Sequence, residues 1–208
     1  RQVSSAASDV YKRQSNNKII KSFPKKRYWK LLFPARLIRE KGINELLIAC
    51  DSLWEKNKNF RLFIAGEFNV NQRGNLSKND IERIRKRKYV VGIKYQTKMK
   101  NIYLNSDIVI LPTWREGLSR ALLEAGSMEL PIITTNVPGC KDIVLHKKTG
   151  LLVKKEDPVS IEKAITFLMN NENLCKKFGE NVRIHIEENF TNDIVNKQTF
   201  DLYKKISN

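Results

Sequence analysis

From residue 28 onward, short apolar runs alternate with stretches that carry apolar residues at helical spacing. The apolar runs, several of them closed by Gly or Pro, predict buried strands at 28–34, 61–65, 89–93, 107–111, 131–135 and 151–153. The helical spacing predicts helices at 42–56, 77–87, 98–106, 119–128, 158–170, 173–188 and 192–206, with a turn or short helix at 142–145. Ser77, three residues before Asp80, is expected to cap the second of these helices.

This alternation predicts the α/β class, with a doubly wound parallel sheet of the Rossmann-like type and further helices at the C-terminal end. Ligands of such sheets bind beyond the carboxyl ends of the strands. The binding residues are therefore expected in the segments that follow the predicted strands, at 34–42, 66–74, 92–97, 112–119 and 135–139.

The composition fits a folded domain. An apolar content of 41% is sufficient for a packed core and argues against global disorder. No apolar run in the sequence approaches the roughly 20 residues that a membrane-spanning helix needs. The cysteines, 3 in number and widely spaced, form neither a disulfide framework nor a zinc pattern, a usage typical of a reducing cytoplasm.

The formal net charge of +17 predicts an anionic partner. Charge alone leaves a nucleotide diphosphate, a phosphorylated lipid, a membrane surface and nucleic acid open. Residues 1–30 hold nine basic residues and one acidic residue, which is +8 of the total. A second basic cluster is either a solvated face or a patch that draws the protein to anionic lipid, at the cytoplasmic side of the inner membrane; it consists of Arg83, Arg85, Lys86, Arg87 and Lys88.

The N-terminal segment is interpreted apart from the fold. Residues 4–14 read SSAASDVYKRQ, which resembles the translation of a sequencing adapter and lacks both apolar periodicity and the apolar region of a signal peptide. We interpret 1–14 as an adapter artefact, 15–28 as the remainder of an interdomain linker and 29–208 as the functional domain. A natural disordered tail is the alternative for the first segment.

Several motifs of other enzyme classes are absent from the sequence. It contains no G-x-G-x-x-G after the first strand, no G-x-x-x-x-G-K-[ST] and no G-x-S-x-G. A classical dinucleotide site, a P-loop and a nucleophile elbow are therefore disfavoured. Of the two histidines, His185 is predicted to have a structural role in a helix and His146 to be solvated in a charged loop.

The first segment with candidate chemistry is ARLIREKG at 35–42, between the first strand and its helix. The cations Arg36 and Lys41 flank a turn that precedes a helix N-terminus. Backbone N–H groups and the helix dipole favour an anion at such a position, and the combination suits a diphosphate. On this chemistry alone, a solvated charged loop is an equal alternative.

The second segment is EGLSRALLEA at 116–125, in which Glu116 and Glu124 have seven residues between them. Gly117 permits close approach of the backbone to a ligand, and Leu118 and Ser119 can present N–H groups at the start of a helix. A carboxylate at Glu124 suits paired sugar hydroxyls, because it accepts two hydrogen bonds. Two surface glutamates on a helix are the alternative.

These two segments, in this order, resemble the motifs of the C-terminal domain of retaining glycosyltransferases with the GT-B fold, family 4. The family's usual motifs are G-R-L-x-x-x-K-G and E-G-x-x-x-x-x-x-E. The resemblance covers residues 30–206 and continues through ELPIITT at 129–135, PGCKDIV at 138–144 and TGLLV at 149–153. The residues of these motifs are most similar to those of bacterial enzymes that extend lipid-linked oligosaccharides, capsule or O-antigen.

The resemblance implies a role for each matching residue. Catalytic roles fall to Arg36 and Lys41, which would hold the donor diphosphate, and to Glu116, which would contact the transferred sugar. The residues implied in donor binding are Gly117, Leu118 and Ser119 through their backbone, Glu124 at the nucleotide ribose, and Glu67 and Phe68 near the nucleotide. Two positions depart from the usual pattern, since Ala35 and Glu129 each replace a Gly. A left-handed helix end prefers Gly, so Glu129 is expected to be unfavourable there.

The resemblance implies a function that needs a second domain. The enzyme would transfer a hexose or N-acetylhexosamine, with retention, from a nucleotide diphosphate sugar, expected to be a UDP-sugar, to a glycan or lipid-linked acceptor. No metal or other cofactor is expected, because the cations and the helix N-terminus stabilise the departing diphosphate and the chain has no Asp-x-Asp motif. An N-terminal domain would hold the acceptor, so the chain alone is expected to bind nucleotide weakly and to transfer no sugar.

The alternative from another class is a non-catalytic, basic Rossmann-like module that binds nucleic acid. The charge favours it. The absence of a nucleic-acid-binding motif and the placement of Glu116 and Glu124 count against it, and we expect no nucleic-acid partner.

Overall fold

The structure, a computed structural model, describes residues 28–66, 76–93 and 99–207. The interpretation of 1–14 as an adapter artefact falls outside these residues, as does that of 15–28 as linker except for its last residue. The described strands are β1 Trp29–Phe33, β2 Phe60–Ala65, β3 Val90–Ile93, β4 Ile108–Leu111, β5 Ile132–Thr135 and β6 Gly150–Val153.

The six strands form one parallel sheet in the order β3-β2-β1-β4-β5-β6. Leu31 of β1 pairs with Leu62 of β2 on one side and with Ile108 of β4 on the other. The chain thus moves outward from β1 to β3 and then returns to the centre to begin β4. A crevice forms at this change of direction, where ligands bind in doubly wound sheets. The predicted fold class is confirmed.

Seven α-helices are described, besides a short 3₁₀ turn at Arg39–Lys41. They are α1 Ile43–Lys56, α2 Lys78–Arg85, α3 Lys100–Leu104, α4 Arg120–Ser127, α5 Pro158–Met169, α6 Glu172–Asn189 and α7 Asn192–Ser207. Each predicted helix is present within a few residues of its predicted bounds. The turn expected at 142–145 instead occupies 138–143, because the carbonyl of Val137 already accepts hydrogen bonds from Cys140 N and Lys141 N.

The helices cover both faces of the sheet. Right-handed crossovers place α1 and α4 on opposite faces, because the strand order runs in opposite directions before and after β4. Helix α5 packs on α1, and α6 packs on α4. The central strands are consequently buried on both sides, and Leu31, Leu32 and Ile110 have no exposed surface. This burial accounts for the continuous apolar runs in the sequence.

The capping interaction predicted at Ser77 is present. The Ser77 hydroxyl accepts a hydrogen bond from Asp80 N at 3.1 Å, and the Asp80 carboxylate accepts one from Ser77 N at 3.2 Å. This reciprocal arrangement satisfies two backbone donors that a helix start otherwise leaves unpaired. Such a cap stabilises a helix by about 1 kcal/mol.

Glu129 adopts the left-handed conformation that its position after α4 predicts, with φ of 56°. A side chain in this region costs about 1–2 kcal/mol relative to the right-handed helical conformation. The Glu129 carboxylate accepts a hydrogen bond from Arg183 Nη1 of α6 at 3.2 Å. This contact ties the end of α4 to α6, and it offsets part of the cost of the missing glycine.

The two histidines hold backbone groups in place. His185 Nε2 lies 3.0 Å from the Asp142 carbonyl oxygen, which agrees with its predicted structural role. His146 is exposed, but its Nδ1 accepts a hydrogen bond from Leu152 N at 3.0 Å. The predicted exposure of His146 is therefore confirmed, and the ring has an additional contact because it lies beside β6 at the edge of the sheet.

Within the described ranges, no helix combines the length and apolar character that are needed to cross a bilayer.

Candidate functional site

Two loops meet at the carboxyl ends of the central strands. The first loop, 34–42, follows β1, and the second loop, 112–119, follows β4. The carbonyl oxygen of Glu40 accepts a hydrogen bond from Trp114 N at 2.8 Å and another from Thr113 Oγ1 at 3.0 Å. These contacts join the two predicted chemical segments into one site.

Gly42 allows the two loops to approach each other closely. Its φ of 74° lies in the left-handed region. A Cβ atom at this position would overlap with the carbonyl group of Pro112, so the backbone requires glycine for space as well as for conformation. Gly42 also precedes the first residue of α1, and its position therefore sets where that helix begins relative to the second loop.

Lys41 and Glu116 form an ion pair across the two loops. Lys41 Nζ donates to Glu116 Oε2 at 2.5 Å, and the two side chains are only 19% and 16% exposed. Limited exposure strengthens a charge interaction relative to one in bulk water. The structure therefore brings together two of the three residues that the resemblance implies are catalytic.

Arg36, the third of these residues, is exposed and makes no ion pair with any residue in the described ranges. The neighbouring acid of the first loop is already engaged. Glu40 Oε1 accepts from Arg115 Nη2 at 2.8 Å, and Glu40 Oε2 accepts from Arg115 Nε at 3.1 Å. Arg36 is thus available at the surface of the loop to an anion from outside the chain.

The second loop ends at the N-terminus of α4. Gly117 and Leu118 are exposed, and Ser119 is the buried residue that precedes the helix. The Ser119 side chain does not cap α4, and among the described residues its Oγ has no hydrogen-bond partner. The first-turn N–H groups of α4 therefore lack a side-chain acceptor, and helix N-termini of this kind attract anions.

A third loop, 136–139, supports the second loop from β5. Gly139 has φ of 79°, and a Cβ on it would overlap with the Gly117 carbonyl oxygen. Gly139 N donates to Asp142 Oδ2 at 3.0 Å, which holds the turn in this conformation. The segment PGCKDIV at 138–144 was matched only through its resemblance to the family, and Gly139 was not predicted to support the second loop. A glycine in a turn beyond a parallel strand was the available signal.

Cys140 lies beneath this contact, without exposed surface. Burial raises the pKa of its thiol to about 11, and the negative charge of Glu116 acts in the same direction. The thiol therefore stays protonated near neutral pH and is a poor nucleophile.

Glu124 is held by two donors from separate helices. Arg120 Nε donates to its Oε1 at 2.8 Å, and the Tyr103 hydroxyl of α3 donates to its Oε2 at 3.2 Å. Glu124 and Glu116 thus have separate partners, although the same sequence motif contains both. Sequence reasoning missed Arg120 and Tyr103 as partners. The spacing of Arg120 and Glu124 by four residues on a helix could have identified the first.

The Tyr103 hydroxyl remains a donor over the whole physiological range. Burial raises its pKa well above the usual value, and the charge of Glu124 raises it further. Tyr103 also lies 3.3 Å from the Ala121 carbonyl oxygen, so its hydroxyl is directed at α4.

The remaining two predicted donor-binding residues, Glu67 and Phe68, lie outside the described residues. Gly66, immediately before them, is described at the end of β2. A Cβ on Gly66 would overlap with the carbonyl oxygen of Ala35, so the end of β2 lies against the first loop. The roles of Glu67 and Phe68 stay predictions.

A sequence model of the family described as "Glycosyl transferases group 1" matches residues 14–185. Among curated relatives, the capsular polysaccharide biosynthesis glycosyltransferase CapM of Staphylococcus aureus is 30% identical over 195 residues, which is 90% of this chain and 50% of CapM. The chain spans about half or less of the length of the curated relatives that it matches.

Solved structures share the fold at low sequence identity. The C-terminal domain of LpcC, a glycosyl transferase group 1 family protein from Francisella tularensis, has a TM-score of 0.66 at 16% identity, covering 89% of this chain and 93% of that domain. Anabaena HepE in complex with UDP and glucose has a TM-score of 0.72 at 15% identity, covering 95% of this chain and 52% of HepE. The described domain thus has the Rossmann-like fold found in GT-B glycosyltransferases. With the family match over residues 14–185, the chain belongs to the glycosyl transferases of group 1.

Proposed function

We propose that this domain binds a nucleotide diphosphate sugar, a UDP-hexose or UDP-N-acetylhexosamine, between the first and second loops. The observation that carries the proposal is the Lys41–Glu116 ion pair beside the N-terminus of α4, which has no side-chain cap. A cation, an acceptor for sugar hydroxyls and free backbone donors meet there. The complex of HepE with UDP and glucose, which has the same fold, supports this choice of donor.

The proposed reaction is glycosyl transfer with retention, to a glycan or lipid-linked acceptor. The bond between the anomeric carbon and the diphosphate oxygen breaks, and the diphosphate keeps the electron pair. The acceptor hydroxyl oxygen forms the new bond to the anomeric carbon, and its proton passes to an oxygen of the leaving diphosphate. The acceptor would lie on an N-terminal domain that completes the enzyme. The role of CapM in capsular polysaccharide biosynthesis supports a glycan acceptor.

Negative charge grows on the leaving diphosphate during this step. Lys41, Arg36 and the N-terminus of α4 would stabilise that charge, and groups already in place need no reorganisation when the charge develops. In the structure, Glu116 neutralises Lys41. A bound diphosphate would therefore share Lys41 with Glu116, while the other lone pairs of the Glu116 carboxylate accept hydrogen bonds from the transferred sugar. The proposal includes no metal or other cofactor.

The remaining proposed roles concern the phosphates, the ribose and the base of the bound donor. The backbone of Gly117, Leu118 and Ser119 would contact phosphate oxygens at the start of α4. Glu124 would accept hydrogen bonds from the ribose. Glu67 and Phe68 are proposed near the nucleotide from the resemblance alone.

The test replaces Arg36 and Lys41 by Ala in the full-length enzyme. A hydrogen bond to a charged group is worth about 1.5–3 kcal/mol, so each variant should lose about ten- to a hundred-fold in transfer rate. Most of the loss should appear in kcat, because the contacts strengthen as the diphosphate leaves. Initial rates at varied donor concentration measure the two parameters separately.

Arg39→Ala is the matched control. Arg39 is an exposed cation between the two tested residues, in the same 3₁₀ turn as Lys41, and its loss should have a much smaller effect. Thermal unfolding of Lys41→Ala is needed beside the kinetics, because this variant leaves Glu116 without its partner. Wild-type rates and unchanged UDP binding in both test variants would contradict the assignment of the site.

A peripheral contact with anionic membranes is a further proposal, and it rests on a smaller patch than the sequence indicated. Arg83, Arg85, Lys86 and Lys88 are exposed. Arg87 is committed to the fold, because it donates hydrogen bonds to both carboxylate oxygens of Asp51. Binding of the chain to anionic vesicles that weakens steeply with salt would support this contact. Apart from the net charge, no observation favours the alternative of a nucleic-acid-binding module.

A further inference from the structure

The carboxylate of Glu124 has a fixed orientation but spare hydrogen-bonding capacity. Its side chain is 12% exposed. Among the described residues, Arg120 donates to Oε1 and Tyr103 donates to Oε2, one donor on each oxygen. A carboxylate has about four acceptor positions in total, so one position on each oxygen remains for a ligand. Two neighbouring hydroxyls of a ribose match this pair of acceptor positions.

The two donors differ in how firmly they hold the carboxylate. Arg120 is 56% exposed, and an exposed ion pair on one helix contributes little to fixing a side chain. Tyr103 is fully buried, so its ring cannot move without opening the core around α3 and α4. Its hydroxyl therefore determines the position of Oε2. Without that hydroxyl, the Glu124 carboxylate is free to rotate toward Arg120 and away from the ligand.

We propose that Tyr103 is a positioning residue, which orients the Glu124 carboxylate toward the 2′- and 3′-hydroxyls of the nucleotide and thereby sets a preference for ribonucleoside over deoxyribonucleoside diphosphates. This proposal rests on the placement of the donor nucleotide in the proposed function. It adds a residue from α3, outside both site motifs, to the determinants of specificity. Arg120 plays the same part more weakly, because water competes for its charge.

The test compares the affinities of the chain for UDP, 2′-deoxy-UDP and 3′-deoxy-UDP by calorimetric titration. The wild-type chain should bind UDP more tightly than either deoxy analogue. Tyr103→Phe removes only the hydroxyl and should reduce the UDP preference by about two- to tenfold, which corresponds to one hydrogen bond. Affinity for UDP should fall most, and affinity for each deoxy analogue, which keeps one of the two hydroxyls, should fall less. A defect in packing alone would weaken all three ligands equally.

Tyr89→Phe is the matched control, because Tyr89 is equally buried and its hydroxyl also donates to a carboxylate, that of Asp51. This pair lies away from the proposed site, so the variant should keep the wild-type preference. Arg120→Gln is a second variant in case Tyr103→Phe does not fold, and it should reduce the preference by a smaller factor.

The outcomes separate the two proposals. A chain that does not bind UDP, or binds UDP and its deoxy analogues equally, contradicts the proposed function as well as this inference. If the wild-type preference exists and Glu124→Ala abolishes it, the ribose site stands. An unchanged preference in Tyr103→Phe would then overturn the role of Tyr103 alone.

Discussion

The domain contains two sets of the same three groups, an arginine, a carboxylate and a buried tyrosine. In the outer set, Arg87 and Tyr89 donate to Asp51. In the inner set, Arg120 and Tyr103 donate to Glu124. The outer set joins the region between α2 and β3 to α1, and the inner set lies between α3 and α4, beside the candidate site. The two sets contain the same types of side chain, but they differ in the number of hydrogen bonds that the carboxylate accepts.

The outer set holds its carboxylate with three donor groups, one more than the inner set. Arg87 Nε shares its hydrogen between Asp51 Oδ1 at 2.9 Å and Oδ2 at 3.1 Å, Arg87 Nη2 donates to Oδ2 at 2.9 Å, and the Tyr89 hydroxyl donates to Oδ1 at 2.5 Å. The rings of Trp54, Phe60 and Tyr89 pack against one another at this place. A carboxylate that three donors hold beside an aromatic cluster links elements of the fold. The Glu124 carboxylate has two donors and lies beside the candidate site.

The largest difference is expected from removal of the two carboxylates. Asp51→Ala should lower the free energy of unfolding by about 2 kcal/mol, because a bidentate arginine pair and a tyrosine hydrogen bond are lost together. Glu124→Ala should cost less than about 1 kcal/mol, since Tyr103 keeps the Ala121 carbonyl as an acceptor and a desolvated charge is removed. Urea unfolding measures both values. Equal losses would erase the distinction between a structural and a binding carboxylate.

The two tyrosine hydroxyls should differ in the same direction. Tyr89→Phe removes a hydrogen bond of 2.5 Å and should destabilise the domain by about 1 kcal/mol. Tyr103→Phe removes one of 3.2 Å and should cost roughly half as much. The comparison is made by urea unfolding of both variants under one condition. A larger loss for Tyr103→Phe would show that the inner set carries more of the stability than its geometry indicates.

A pH titration of stability examines the outer set separately. Burial acts to raise the pKa of Asp51, but the hydrogen bonds from Arg87 and Tyr89 outweigh it, and the pKa is lowered. An aspartate in an unfolded chain titrates at about 3.9, so the stabilisation from Asp51 is complete above that pH and disappears as the pH falls through the folded value.

The stability difference between the wild-type chain and Asp51→Asn should accordingly be constant from pH 6 to pH 5 and shrink below about pH 4. Thermal or urea unfolding across this range measures it. A difference that persists undiminished at pH 2 would mean that the charge of Asp51 does not contribute, and that shape alone accounts for the effect.

The smallest effect is expected from the exposed arginine of the inner set. Arg120→Gln should change stability by no more than a few tenths of a kcal/mol, the usual value for an exposed pair four residues apart on a helix. Lys176→Gln, which breaks the similar pair with Glu180 on α6, is its control. Both variants should unfold within error of each other, so any larger loss in Arg120→Gln assigns Arg120 a part in the fold.

The elements that could be predicted from the sequence are those with local causes. Apolar runs closed by Gly or Pro located the strands, and the Ser77 cap followed from the identity of two residues three apart. The left-handed conformation of Glu129 was expected because related sequences place a glycine there. Each of these features depends on a few neighbouring residues, so it can be recognised from a short stretch of the sequence.

The features that escaped prediction depend on long-range contact. Lys41 and Glu116 were both expected to face a ligand, but their mutual ion pair joins residues 75 positions apart in the chain. Tyr103 lies in a helix outside the motifs, and its link to Glu124 exists only once α3 and α4 are packed. Arg87 belongs to a basic run in the sequence. No nearby residue indicated that it would form an ion pair with Asp51 and would not belong to the exposed basic patch.

The glycine contacts between the loops restrict how this site can change in evolution or be recombined in the laboratory. Gly42 lies against the backbone of Pro112, and Gly139 lies against the backbone of Gly117, so the three loops are in contact through main-chain atoms that no side-chain substitution can adjust. A chimera that imports one loop from a relative inherits the backbone path of that loop but not the surface it was shaped against. The three loops should therefore evolve together. We expect that donor preference can be exchanged between relatives only when all three loops are transferred together.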